Sequence, residues 1–127
     1  MDLKDAVAAL AALAQETRLS IFRLLVEAGP EGVSVGTIGQ RLKVPGATLS
    51  FHLKELARAG LISSRQKKQF IYYATDFGRM AELMTFLTEH CCHGMPKECL
   101  TVVETALGSY CSSQPVTKKR KPIGRRA

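Results

Sequence analysis

A mainly α-helical single domain carrying one small β-hairpin is the fold this sequence predicts. Three observations point to it. Apolar residues recur at helical spacing in successive stretches before residue 60, two β-prone runs follow directly, and a further helical pattern comes after them. At 127 residues the chain suits one domain and is too short for two ordinary ones. That length can bury a workable core without disulfide or metal staples.

The elements follow in chain order. Residues 3 to 14 are Ala-rich, with Leu3, Val7, Leu10 and Ala14 along one helical face, so a first helix is expected. Its apolar stripe is wide for an isolated N-terminal helix and needs a partner, either the core or a second subunit. A second helix is expected from Glu16 to Ala28 with Leu19, Phe22, Leu25 and Val26 inward, and Gly29-Pro30-Glu31-Gly32 then forces a turn. Ser34 suits the N-cap of a short third helix through Leu42, whose inward row is Val35, Ile38 and Leu42. "KVPG" breaks that helix. A fourth runs from Ala47 to Arg58 with Leu49, Leu53 and Leu56 inside, and Gly60 ends it. Two short helices joined by a Pro-Gly turn read as a helix-turn-helix.

"LISSRQ" and "FIYYAT" then read as a hairpin with a cationic tip at "KK", the position of a wing. Asp76 caps a fifth helix through about His90, with Phe77, Met80, Met84 and Leu87 as its packing side. The predicted domain spans 1–111, with 112–127 a basic tail too poor in apolar residues to pack.

This layout predicts where nucleic acid would be read. A recognition helix presents its N-terminal, outward residues to base edges in the major groove. With Leu49, Leu53 and Leu56 inside, the outward set is Thr48, Ser50, Phe51, His52 and Lys54. Thr48, Ser50 and His52 can hydrogen-bond to bases or phosphates, and Phe51 can meet a thymine methyl. Packing against a neighbouring helix is the alternative for Phe51, and a satisfied, partly buried ring the alternative for His52. Arg65, Lys67 and Lys68 on the wing suit backbone phosphates, with Lys43 and Arg58 as further candidates. Global charge does not establish such binding. Six of the 18 basic residues lie in the last ten positions, and without them 12 basic residues face 11 acidic ones.

The segments "ALAQETRLSIFRLL", "ATLSFHLKELARAGLISSR" and "FIYYAT" resemble the arsenic-repressor (ArsR) family of bacterial winged helix-turn-helix regulators, from about residue 5 to residue 90. The resemblance implies a homodimer built through the first and last helices. It also implies binding to a near-palindromic double-stranded operator, repression in the absence of ligand, and release when a metal or metalloid binds. Many members carry a Cys-x-Cys pair at the start of the third helix, but Ser34 and Gly36 stand there in this sequence.

Ligands would therefore come from "EHCCHGMPKEC", which holds Cys91, Cys92 and Cys99 of the chain's four cysteines. Soft ions select thiolates. Trivalent arsenic or antimony takes three sulfurs in a pyramid, and the cluster resembles a subgroup of arsenic repressors whose site lies at the end of the last helix. Gly94 and Pro96 allow the chain to turn so that Cys99 can return toward the vicinal pair. Arsenite or antimonite is thus the expected effector, with no permanently bound cofactor. Zinc or cadmium is the alternative, His90, His93 or Cys111 completing a tetrahedron. A third reading is a thiol redox switch in which Cys99 pairs with one of the adjacent cysteines.

Other classes are disfavoured. No nucleophile, base and orienting group stand in recognisable relation, so an enzyme is not expected. No apolar run is long enough for a membrane span, and "MDLKDAVAALAALAQETR" lacks a basic n-region, so a cytoplasmic location with reduced thiols is expected. The "KKRKP" tail is expected to act as a flexible arm for non-specific phosphate contact or to remain solvated.

Overall fold

The computed structural model describes residues 1–90, Thr101 and Thr105. Its elements run α1 (Leu3–Leu13), α2 (Glu16–Ala28), β1 (Val33–Ser34), α3 (Val35–Leu42), α4 (Gly46–Arg58), β2 (Ile62–Lys67), β3 (Phe70–Thr75) and α5 (Phe77–Thr88). Side chains set most of the helix starts. Asp2, Gln15, Ser34 and Asp76 each accept a hydrogen bond from a backbone N–H in the first turn of α1, α2, α3 and α5. α4 begins behind Pro45 without such a cap.

The three strands form one antiparallel sheet in the order β1-β3-β2. β2 and β3 pair from Ile62↔Thr75 to Lys67↔Phe70, leaving Lys68 and Gln69 as the connection. The tip is thus one residue further along than "KK" suggested. β1 has no counterpart in the sequence reading. It adds Val33↔Tyr73 and Ser34↔Tyr72 to the inner edge of the hairpin and anchors the wing to the start of α3. Gly32 makes this possible: its φ is 81°, and a Cβ there would collide with the Tyr73 carbonyl oxygen.

The core lies where α2, α3 and α4 meet the base of the wing, with Ile21, Leu25, Ile38, Leu49, Leu53, Leu56 and Leu61 fully buried. The expected rows of α3 and α4 hold, although Val35 and Leu42 are only half-buried. Three other stripes need correction. On α1 the inward side is Ala6, Ala9 and Ala12, while Leu3, Val7, Leu10 and Ala14 are exposed. Alanine lets α1 approach the neighbouring helices closely, so the larger residues are turned out. On α2, Leu24, Ile21, Leu25 and Phe22 form the buried arc, leaving Val26 half-buried and Leu19 exposed at its edge. On α5, Leu83 is buried with Met80 and Phe86 packed beside it, whereas Met84 and Leu87 face outward.

Candidate nucleic-acid interface

The helix-turn-helix is made by close approach of α3 and α4. Gly39 lies under Leu49, whose side chain would be 3.2 Å from a Cβ at that position. α3 stops at Lys43, which adopts a left-handed backbone with φ 56°. The Val44 N–H then donates to the Gly39 carbonyl at 3.0 Å, and Pro45 launches α4 across the core. α4 ends in a Schellman arrangement, in which the Gly60 N–H donates to the Ala57 carbonyl and the Leu61 N–H to the Leu56 carbonyl. That closure sends the chain directly into β2.

Thr48, Ser50, Phe51 and Lys54 lie on the exposed side of α4, as expected for a reading surface. Phe51 is 55% exposed, which excludes packing into the core. Its ring stands edge-on to His52 with centroids 5.5 Å apart, so the exposed aromatic is braced from behind.

His52 does not belong with that set. It is only 8% exposed and its Nδ1 lies 3.3 Å from Nη1 of Arg18 on α2. The spacing carried the signal, because Leu49, His52, Leu53 and Leu56 follow the i, i+3, i+4, i+7 pattern of one inward face. Arg18 was not singled out in the sequence, since its role rests on a residue 34 positions away.

Arg65, Lys67 and Lys68 are exposed on the wing. The Arg65 Nη2 donates to the Glu31 carbonyl oxygen at 2.8 Å, tying the wing to the turn before β1 while its other donors stay available. Lys67 closes β2, and Lys68 occupies a left-handed position with φ 59° at the tip. Lys43 is exposed in the helix-turn-helix bend. Arg58, also considered for phosphate contact, pairs with Glu55 at 2.9 Å within its own helix.

Between α4 and the wing runs a cleft of about 350 Å³, bordered by Ser34, Gly36, Ser50, Lys54, Phe70 and Tyr73. Hydroxyls, a lysine and aromatic edges on one concave strip suit a sugar-phosphate backbone flanked by base edges. Ser34 itself serves as the α3 cap, its Oγ accepting from the Thr37 N–H, and neither it nor Gly36 offers a thiol.

Cys91, Cys92 and Cys99 lie outside the described residues, as do Cys111 and the tail from 112 to 127. Among the described residues, no group of three or more His, Cys, Asp and Glu side chains is placed to hold a metal ion.

Comparison with known proteins fits this geometry. A family model described as a helix-turn-helix domain matches residues 13–65. The transcriptional activator HlyU of Vibrio cholerae is 37% identical over 82 residues, which cover 62% of this chain and 73% of the relative. A solved structure of reduced HlyU from Vibrio cholerae is similar with a TM-score of 0.55 and 32% identity, covering 70% of this chain and 90% of that one. The crystal structure of a possible transcriptional regulator for arsenical resistance gives a TM-score of 0.55 at 26% identity, over 62% of this chain and 79% of that one. These relatives are described as regulators of transcription and not as enzymes.

Proposed function

This chain belongs to the ArsR-type family of winged helix-turn-helix transcriptional regulators, and from that premise we propose that it is a homodimeric, metalloid-responsive repressor. Operator DNA is gripped by Thr48, Ser50, Phe51 and Lys54 in the major groove, with Arg65, Lys67 and Lys68 on flanking phosphates. The observation that supports this most directly is the exposed Phe51, in the first half of α4 and accompanied by the exposed Thr48, Ser50 and Lys54, on a helix adjoining a basic hairpin. An apolar ring in that position suits the methyl group of thymine.

The dimer reading rests on the apolar residues that the chain leaves exposed. Leu3, Val7 and Leu10 on α1 and Met84 and Leu87 on α5 are exposed, and the two helices pack against each other. A second copy covering these faces would set two recognition helices at one operator.

For the effector, the donor set fits the ion. Cys91, Cys92 and Cys99 supply three soft sulfurs, the number that trivalent arsenic or antimony accepts, and the family's alternative position at Ser34 and Gly36 has none. Binding deprotonates the thiols, so affinity rises with pH toward the thiol range. Occupation at the end of the dimerising helix would reset the spacing of the recognition helices and release DNA. Similarity to a possible regulator of arsenical resistance supports this reading.

The test is gel mobility of an operator fragment, recovered by selection from random duplexes, with the full reduced chain. Arsenite is expected to return the fragment to its free mobility. Cys91→Ser, Cys92→Ser and Cys99→Ser should each bind DNA normally and resist release. A second reading, a thiol redox switch in which Cys99 pairs with Cys91 or Cys92, is favoured by the likeness to HlyU of Vibrio cholerae solved in its reduced form. Under it, diamide releases the fragment and arsenite does not.

A further inference from the structure

Arg18, on α2, reaches two other helices with one side chain. It stands in the first turn of α2, where its backbone N–H donates to the Gln15 side chain at 2.8 Å. Its Nε donates to the Ala12 carbonyl at 2.6 Å, and its Nη1 reaches His52 Nδ1 at 3.3 Å. Ala12 is in the last turn of α1, where carbonyls have no partner within the helix and carry the negative end of its dipole. His52 is buried on the inner face of α4, directly behind Phe51.

A guanidinium has donors only. His52 Nδ1 must therefore accept, which places the ring proton on Nε2. The planar group holds both acceptors at a fixed separation, something a lysine ammonium on its flexible stem does not reproduce. α1 carries the exposed Leu3, Val7 and Leu10, and α4 carries Thr48, Ser50, Phe51 and Lys54. The bridge thus runs from the helix with the outward apolar face to the helix with the outward polar face.

We propose that the Arg18–His52 bridge is the positioning element that sets the rotation and depth of α4 relative to α1, and so determines sequence discrimination while touching no DNA. Packing of Leu49, Leu53 and Leu56 is non-directional and comes from one stripe of α4. A hydrogen bond to His52, the fourth inward residue, adds a directional constraint on the rotation of α4. Phe51 follows, since its ring is braced by the imidazole that Arg18 orients.

This inference rests on the DNA-binding reading, and the experiment separates the two. The full chain is used to select duplexes from a random pool, and affinity is then measured for the selected duplex and for unselected duplex. Arg18→Lys is expected to weaken the selected duplex ~10-fold while leaving unselected duplex within ~2-fold. His52→Asn keeps an acceptor near the Nδ1 position and should restore most discrimination, whereas His52→Leu should behave like Arg18→Lys. The double variant Arg18→Lys/His52→Leu should lose no more than either single one. In long-range nitrogen-15 spectra, His52 should show an unprotonated Nδ1 in the parent chain and mixed tautomers in Arg18→Lys. Equal losses on both duplexes, or additive losses in the double variant, overturn the positioning role. If selection enriches no sequence, the DNA-reading function itself fails, and this proposal with it.

Discussion

Lys68 occupies a left-handed backbone, φ 59°, at the tip of the wing, and Lys43 does the same, φ 56°, in the helix-turn-helix bend. Such a conformation costs a side chain-bearing residue about 1 kcal/mol relative to glycine, partly offset by glycine's greater freedom when unfolded. Lysine at both positions therefore brings no advantage to folding, and both side chains are exposed, one in the helix-turn-helix bend and one at the wing tip. Lys68→Gly should leave the unfolding midpoint unchanged or raise it, while weakening DNA binding and lowering the salt slope by about 1. Affinity against salt concentration, measured beside thermal unfolding, checks both signs. A loss of stability matching the loss of affinity would assign Lys68 to the fold instead.

At the scale of elements, the ends of helices decide how the reading surface is held. Gly60 joins α4 to the wing with φ 80°, and a Cβ there would lie 3.2 Å from Nε of Arg79. Arg79 sits in the first turn of α5, reaching Asp5 of α1 at 3.8 Å and Glu82 at 3.3 Å. These ion pairs are partly exposed and each contributes little, but the guanidinium is a wedge between α1, α5 and the α4 terminus. Gly60→Ala should cost roughly 1–2 kcal/mol, from left-handed strain plus displacement of Arg79. Denaturant unfolding should show a lower midpoint with an unchanged slope.

For the whole molecule, the relevant quantity is apolar surface left uncovered. α1 turns alanines to the core and Leu3, Val7 and Leu10 outward, 68%, 57% and 41% exposed. Val7→Asp should therefore leave the single chain's stability within ~0.5 kcal/mol, as for an exposed position, yet separate the dimer. Sedimentation should then report one copy, circular dichroism should stay helical, and operator affinity should fall by more than ~10-fold as the two half-sites are no longer engaged together. A variant that sediments as the parent would move the interface away from α1. No helix among the described residues is long and apolar enough to cross a membrane.

Local patterns determined much of this protein. Helical spacing, the Ser34 and Asp76 caps, the Pro-Gly break before α4 and the two β-prone runs were enough to order the helices, the bend and the wing. They also exposed the thiol cluster, whose residues lie beyond the described part of the chain. Only the tertiary structure decided which side of α1 and α5 faces the core, because apolar residues of different sizes occupy both sides and periodicity does not rank alanine against leucine. It also decided β1, two residues too short to leave a pattern. The inward side of His52 was legible in its spacing from Leu49 and Leu56, but its partner Arg18 was not: that contact joins positions on different helices, and a pair so distant leaves no local spacing to read.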